Sequence, residues 1–418
     1  MNSKLKLVEQ NGMVEWSFSS RKEYADPFNE VEVSAVFTDP TGEERVVPAF
    51  WAGGNFWGLR YASHKVGRHR FRTMCSESNP DLHGQEGTVE VLPYTGDNPL
   101  LKHGPLRVSH DRRYLEHIDG TPFFWLGDTW WMGLTKRLEW PEGFRLLTAD
   151  RVKKGFTVIQ IVAGLYPDMA PFDPRGANEA GFPWEKDYSR INPAYFDMAD
   201  RRLDWLVQNG LVPCIVGSWG FFMEFAGEEA MKKHWRNLVA RYGAYPVVWC
   251  LAGEAVMPYY TVALQYYLFS VAESEKKRKE YETKARAGWT RVARYLRALD
   301  PYHHPITIHP TDVGRNMVDD PSVLDVDMLQ TGHTDLDSFA NTVSKVADEV
   351  ARVPRMPVLV GEVDYEGILG ASWENVQRLM FWTSILNGAC GHTYGANGIW
   401  QLNTRSRPFG PSPHGRSY

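Results

Sequence analysis

The chain has 418 residues, 43% of them hydrophobic and 23% charged, with a formal net charge of -5. This is the composition of an ordinary globular protein, with one large domain and one small one accounting for the length, and it lacks the basic excess that nucleic acid or an anionic membrane surface would call for. The N-terminus MNSKLKLVEQNGMVEWSF has no apolar core of the signal-peptide kind and no later run is long enough to span a bilayer, so a cytoplasmic protein is expected.

From Val31 to about Pro93 the chain reads as short alternating runs, VEVSAVF, RVVPAFW, FWGLRYA, HRFRTMC and GTVEVLP, separated by turn residues. That pattern predicts a small antiparallel β-sandwich as an N-terminal domain over residues 1–98. After the link YTGDNPLLKHGP, eight apolar runs alternate with longer stretches: FFWLG, TVIQIVA, VPCIVG, VVWCLAG, PITIHP, DMLQTGH, PVLVGE and ACGHTYG. Eight βα repeats predict an α/β fold, a (β/α)8 TIM barrel over residues 99–418.

Between the runs, EGFRLLTADRVKKG, PAYFDMADRRLDWLVQNG, EEAMKKHWRNLVARYG, DSFANTVSKVADEVARV and SWENVQRLMFWTSILNG read as amphipathic helices, several closed by glycine. No stretch stands out for the fifth helix, and the chain runs into RSRPFGPSPHGRSY soon after the eighth strand, so the closing helix is missing from the pattern. The charged segment ESEKKRKEYETKARAG reads as a solvated helix after strand four. The aromatic run before it, YYTVALQYYLF, could be core or a contact in a homo-oligomer. The loop after strand two, YPDMAPFDPRGANEAGFPWEKDYSRINP, is too rich in Pro, Gly and Asp for regular structure, and a long loop at that end of a barrel shapes substrate choice.

Cys214, Cys250 and Cys390 lie in apolar runs and only Cys75 lies in a polar one, with no CxxC pair, which points to reduced core thiols. The 16 Trp and 19 Tyr exceed what packing usually requires. Most are core, but sugar clefts also use such rings as apolar platforms.

Reacting groups of a barrel sit at the carboxyl ends of its strands. Read in order, those ends are Asp128 with Trp130 and Trp131, Gln160, Ser218-Trp219, Glu254, His309, Gln330 and His333, Glu362, and His392 with Tyr394. Glu254 and Glu362 each follow a glycine at the end of a strong apolar strand, on strands four and seven. Two carboxylates facing each other suit glycoside hydrolysis, one as proton donor and one as nucleophile or base. The apolar company of Glu254, Val256, Met257 and Pro258, would raise its pKa and makes it the acid/base, with Gly253 giving the backbone freedom to turn. Glu362 precedes Asp364, Tyr365 and Glu366; a Tyr hydroxyl could hydrogen-bond an ionised carboxylate, so Glu362 is the nucleophile. Glu366 is the rival for that role, its plainer one being a carboxylate at a helix start. Asp128 equally suits a turn cap. His309, His333 and His392 raise zinc as an idea, but the His-x-His that metal barrels carry on strand one is Gly-Asp-Thr here, so neither metal nor organic cofactor is expected.

The motifs LGDTWW (Leu126 to Trp131), KKGFTVIQIVAGL (Lys153 to Leu165), WCLAGE (Trp249 to Glu254) and PVLVGEVDYEG (Pro357 to Gly367) together resemble the apiosidase-like glycoside hydrolases. The resemblance covers nearly the whole chain. It implies a (β/α)8 barrel preceded by a small β-sandwich, cleavage of glycosidic bonds in plant-type and other complex glycans, and catalysis by a strand-four acid/base and a strand-seven nucleophile, Glu254 and Glu362. By the same resemblance Asp128, Gln160 and Trp219 line the pocket and hold sugar hydroxyls and a ring face. The chain departs from the pattern at Gly253, where many such hydrolases have Asn, at Glu254, where apiosidases have Asp, and at Val363, where Pro is usual. These changes bear on the sugar more than on the mechanism.

The expected function is a glycosidase that cleaves an oligosaccharide or glycoside by a retaining two-glutamate mechanism. Around the carbohydrate stand Asp128, Trp131, Gln160, Trp219, His309, His333, Tyr365, His392 and Tyr394. A transglycosidase would use the same residues, and a non-catalytic carbohydrate-binding barrel is the alternative from another class.

Overall fold

Alternating burial builds the first part of the chain, as in Gly67–Cys75, where His69, Phe71 and Thr73 are buried and Arg68, Arg70 and Arg72 face water. The computed structural model describes residues 5–258 and 271–410; the aromatic run YYTVALQYYLF lies outside them. Eight strands, β1 (Lys6–Glu9), β2 (Val14–Ser19), β3 (Val33–Thr38), β4 (Glu44–Pro48), β5 (Phe50–Gly53), β6 (Phe56–Tyr61), β7 (Gly67–Cys75) and β8 (Glu86–Leu92), form two sheets, β1-β8-β7-β3-β4 and β2-β6-β5. Val33, Phe37, Trp57, Leu59, Phe71 and Val89 fill the space between them, and Phe37 stacks on Tyr61 with ring centroids 3.8 Å apart.

This sandwich differs from expectation in three details. It begins earlier, with β1 and β2, and β1 pairs with β8 in parallel. The run RVVPAFW is two strands in different sheets, because Pro48 has no N–H with which to continue a ladder and the chain crosses over just beyond it.

A small antiparallel sheet, β9 (Leu106–Val108), β10 (Leu115–His117) and β11 (Pro122–Phe123), leads into the barrel. Its strands are β12 (Trp125–Trp130), β13 (Val158–Val162), β14 (Val212–Val216), β15 (Val248–Cys250), β16 (Ile306–Thr307), β17 (Asp327–Gln330), β18 (Val358–Glu362) and β19 (Gly391–Tyr394), all parallel and each on one of the eight apolar runs. They are continuous apolar runs because a parallel strand under helices is buried on both faces. The order is β16-β15-β14-β13-β12-β19-β18-β17. The seam between β16 and β17 is held by the N–H of Asp325 on Ile306 O (2.8 Å) and by Thr307 Oγ1 on Val326 O (2.9 Å).

The five amphipathic stretches form the helices Glu142–Lys153, Pro193–Gln208, Glu228–Tyr242, Ser338–Ala351 and Glu374–Leu386. Gly155, Gly210 and Gly388 follow three of them with φ of 79°, 76° and 100°, the left-handed turn that ends a helix. The charged segment belongs to the helix Val271–Leu299, with exposed Arg278–Glu282 and Lys276–Glu280 pairs at i,i+4. In the fifth unit two short 3-10 turns, Gly314–Met317 and Pro321–Val323, stand where a helix would be. Beyond β19 the described residues hold no helix; they fold back over the mouth, where Arg137 Nε donates to Gln401 O at 2.7 Å. No helix among the described residues is long and apolar enough to cross a membrane. All four cysteines are free thiols, Cys214 and Cys250 buried, Cys75 and Cys390 half-buried.

Sandwich and barrel meet through Arg60 on β6, only 6% exposed. It donates to the carbonyl oxygen of Arg241 at 2.8 Å and to the carboxylate of Asp200 on the helix Pro193–Gln208. Arg241, fully buried, reaches the same Asp200 oxygen at 2.9 Å.

Candidate active site

Strand parity decides what each strand offers the cleft. Trp125 on β12 and Trp131 just past its end point inward, donating to Thr393 Oγ1 (3.0 Å) and to the Tyr365 hydroxyl (3.1 Å). Asp128 and Trp130 therefore point outward. The Asp128 carboxylate is fully buried against the helix Glu142–Lys153, where it takes the Nε–H of Arg151, the indole N–H of Trp130 (2.6 Å) and the N–H of Thr129 (2.9 Å). It is a buried ion pair of the barrel wall, and the expectation that it holds sugar is corrected.

Past β15 the chain continues through Leu251, Ala252 and Gly253 to Glu254. Gly253 bridges to Trp219, with its N–H on Ser218 O at 2.9 Å, and the indole of Trp219 leaves no room for a side chain there. The left-handed turn belongs instead to Glu254, at φ 42°. Gly253 is thus required for space, not for the conformational freedom expected of it. A non-glycine residue in that backbone region is strained and persists where its surroundings fix it. Here Trp219 Nε1 donates to Glu254 Oε2 at 3.2 Å.

Glu362, at the end of β18, is 6% exposed and sits among donors. The Tyr365 hydroxyl donates to Oε2, as the sequence suggested, and His333 Nε2 donates to Oε1 at 2.8 Å. His309 Nε2 lies 3.2 Å from Oε2, at ion-pair distance though off the line of a hydrogen bond. Burial works to raise the pKa of Glu362, but the contacts from His309 and His333 outweigh it and hold the carboxyl well below the usual range. Burial likewise opposes protonation of both histidines, and Glu362 beside them raises both above the ordinary histidine value. Glu254 moves the other way: burial, then the charge of Glu362, push it up to about 7, with His309 and Gln330 opposing and Asp168 adding to the rise.

Gln330, at the end of β17, links the pair. Its Nε2 donates to Glu254 Oε1 at 3.3 Å and to Glu362 Oε1 at 3.2 Å. Those two oxygens are therefore at most 6.5 Å apart, the two bonds laid end to end.

The remaining expected residues divide. Trp131 and Trp219 are each 3% exposed, packed edge-on at 5.5 Å, so they are walls whose N–H groups serve Tyr365 and Glu254, and neither is an open platform. Gln160 is fully buried, donating to Gly361 O at 3.2 Å and accepting from Thr393 Oγ1, so it fills the barrel interior beneath the pair instead of meeting sugar. His309 is fully buried behind Glu362, whereas His333 reaches the cleft, its side chain 24% exposed. His392 points out of the barrel against Phe381 on the helix Glu374–Leu386, ring centroids 5.6 Å apart, and burial lowers its pKa to about 4. The three histidines that raised the idea of zinc thus do not converge. Tyr394 donates to Glu366 Oε2 at 2.6 Å, so the rival carboxylate pairs with β19. Two residues act on the pair that were not expected to: Gln330, visible in the sequence as a strand end, bonds to both, and Asp168, in the loop after β13, which no motif marks, adds its charge to the rise at Glu254.

Residues 109–414 match the family model described as "Apiosidase-like, catalytic domain", and residues 7–76 match a domain of unknown function, DUF5060. No curated protein matches the chain. Among solved structures, a protein from Bacteroides vulgatus described as a candidate glycoside hydrolase is 21% identical with a TM-score of 0.68, over 94% of this chain and 72% of that one. A glycoside hydrolase family 5 protein from the same organism is 22% identical with a TM-score of 0.58, over 74% of this chain and 66% of that one. These likenesses establish the glycoside-hydrolase type of fold.

Proposed function

The chain belongs to the apiosidase-like family, matched over most of its length, and from that membership we propose that it is a glycosidase working by retention, with Glu254 as acid/base and Glu362 as nucleophile. The observation that carries this reading is the Gln330 amide bonded to both carboxylates. The two bonds keep those oxygens within 6.5 Å of each other, which supports the 5–5.5 Å spacing of retaining enzymes over the 6.5–9.5 Å that leaves room for an attacking water.

The environments of the two glutamates support the division of labour. Glu254, with its pKa near 7, can hold a proton for the leaving oxygen, and Glu362 is ionised throughout the neutral range. In the first step the Glu362 carboxylate attacks the anomeric carbon while Glu254 gives its proton to the departing oxygen. In the second, Glu254 takes a proton from water, the hydroxide attacks the same carbon, and the ester bond to Glu362 breaks. His333, Gln330 and Tyr365 stand where they would hold the nucleophile's oxygens and meet hydroxyls near the reacting carbon.

The test is chemical rescue. With a panel of aryl glycosides, Glu362→Ala should lose turnover by about a thousandfold and recover with azide to give an inverted glycosyl azide. Glu254→Ala should keep activity on activated leaving groups, and azide should give the retained product. Sugar binding without turnover in the wild type, unaffected by Glu362→Gln, would instead identify a carbohydrate-binding protein.

A further inference from the structure

We propose that the N-terminal sandwich braces the loop between β13 and the helix Pro193–Gln208, and that Phe28 and Asn29 are positioning residues that hold this loop at the cleft. The loop, residues 163–192, has one 3-10 turn, Pro174–Gly176, and two isolated bridges, Asn178 with Gly181 and Trp184 with Ile191. Four of its non-glycine residues lie in the left-handed region: Leu165 at φ 61°, Asp168 at 55°, Phe172 at 60° and Tyr188 at 56°. A backbone with so many unfavourable residues keeps its shape only where outside contacts fix it.

Barrel groups hold its middle, the Lys136 N–H on Ala177 O at 3.1 Å and Arg202 on Glu179 at 2.7 Å, and two further sets of contacts lie at its ends. At the inner end Leu165 O accepts the N–H of Trp219 at 2.8 Å, and the Trp219 indole donates to Glu254. Asp168, three residues along, is close enough for its charge to act on Glu254. At the outer end Trp184 is 2% exposed and donates to His234 Nδ1 at 3.2 Å, while His234 donates through Nε2 to Gly217 O at 2.7 Å. Burial keeps His234 neutral, with a pKa near 4, so the accepting nitrogen stays available.

The sandwich closes this outer end. Phe28 packs edge-on against Trp184 at 5.8 Å and is backed by Trp51 at 6.0 Å. Asn29 Nδ2 donates to Ser189 O at 2.9 Å, with its own amide oxygen held by Lys233, and Asp26 lies 3.8 Å from Arg190. All three belong to the turn around Pro27–Glu30. A continuous set of contacts thus runs from a module of unassigned function through the loop to the acid/base.

Hydrogen–deuterium exchange on the full chain tests this without any substrate, so its outcome is independent of the glycosidase reading. Asn29→Ala removes an exposed side chain, and Phe28→Ala removes the packing on Trp184. In both, peptides covering residues 170–190 should exchange about fivefold faster or more, with β1 to β8 and the barrel strands as protected as in the wild type. Loop exchange unchanged in Asn29→Ala and Phe28→Ala would overturn the proposal. So would faster exchange spread evenly through the sandwich in Asn29→Ala, since the loop would then have no special dependence on this turn.

Discussion

A Cβ added to Gly253 would lie 2.2 Å from both Cε3 and Cζ3 of Trp219. The indole occupies the space a side chain at position 253 would need, and the same indole donates to Glu254. Gly253→Ala should therefore push Trp219 off Glu254, costing about 1–3 kcal/mol of stability and most of the turnover. Urea unfolding and steady-state rates check both, and a variant with unchanged rates would show that Trp219 does not position the acid.

Activity should fall on the alkaline side with an apparent pKa near 7 as Glu254 loses its proton. Stability follows the same group. Its pKa is raised on folding from an ordinary 4.5, so its contribution is complete below 4.5 and is lost as pH rises through about 7. Glu362, held low, contributes above its ordinary 4.5 and loses that contribution as pH falls toward its folded value. Replacing Glu254 by Gln should flatten the alkaline decline in melting temperature between pH 4.5 and 7.

Asp128→Ala should act on stability, not on catalysis. It leaves Arg151, whose side chain is 8% exposed, with only the more exposed Asp150 as partner, at a cost of about 3 kcal/mol. Turnover per folded molecule should hardly change, and a specific rise in KM would restore Asp128 to the pocket.

Gln330→Leu removes the donor common to both carboxylates. Since that N–H opposes the rise in the Glu254 pKa, the alkaline limb should move to higher pH, and kcat should fall by at least about tenfold as the pair loses its spacing. The pH–rate profile of the variant gives both quantities in one experiment.

Much of the architecture was legible because its signals are local: eight apolar runs, five amphipathic stretches, glycines after helices. The pair Glu254 and Glu362 was legible for the same reason, as two Gly-Glu steps ending apolar strands. Orientation was less so. Asp128 and His392 stand at strand ends yet face the surrounding helices, and alternation along a strand cannot be phased when both faces are apolar. Gln330 owes its importance to meeting residues 76 and 32 positions away in the chain, and no spacing announces that. The run RVVPAFW hid two strands because only the crossing between sheets separates them.

Arg60 gives the two modules a common fate. Its guanidinium shares the Asp200 carboxylate of a barrel helix with a second buried arginine, Arg241, and covers the Arg241 carbonyl, so a barrel without the sandwich would keep the Arg241–Asp200 pair but open it to water on the side that Arg60 covers. The small module is accordingly no detachable appendage. The chain should melt in one cooperative calorimetric transition, and recombining this barrel with a foreign sandwich would succeed only where an arginine arrives at the place of Arg60.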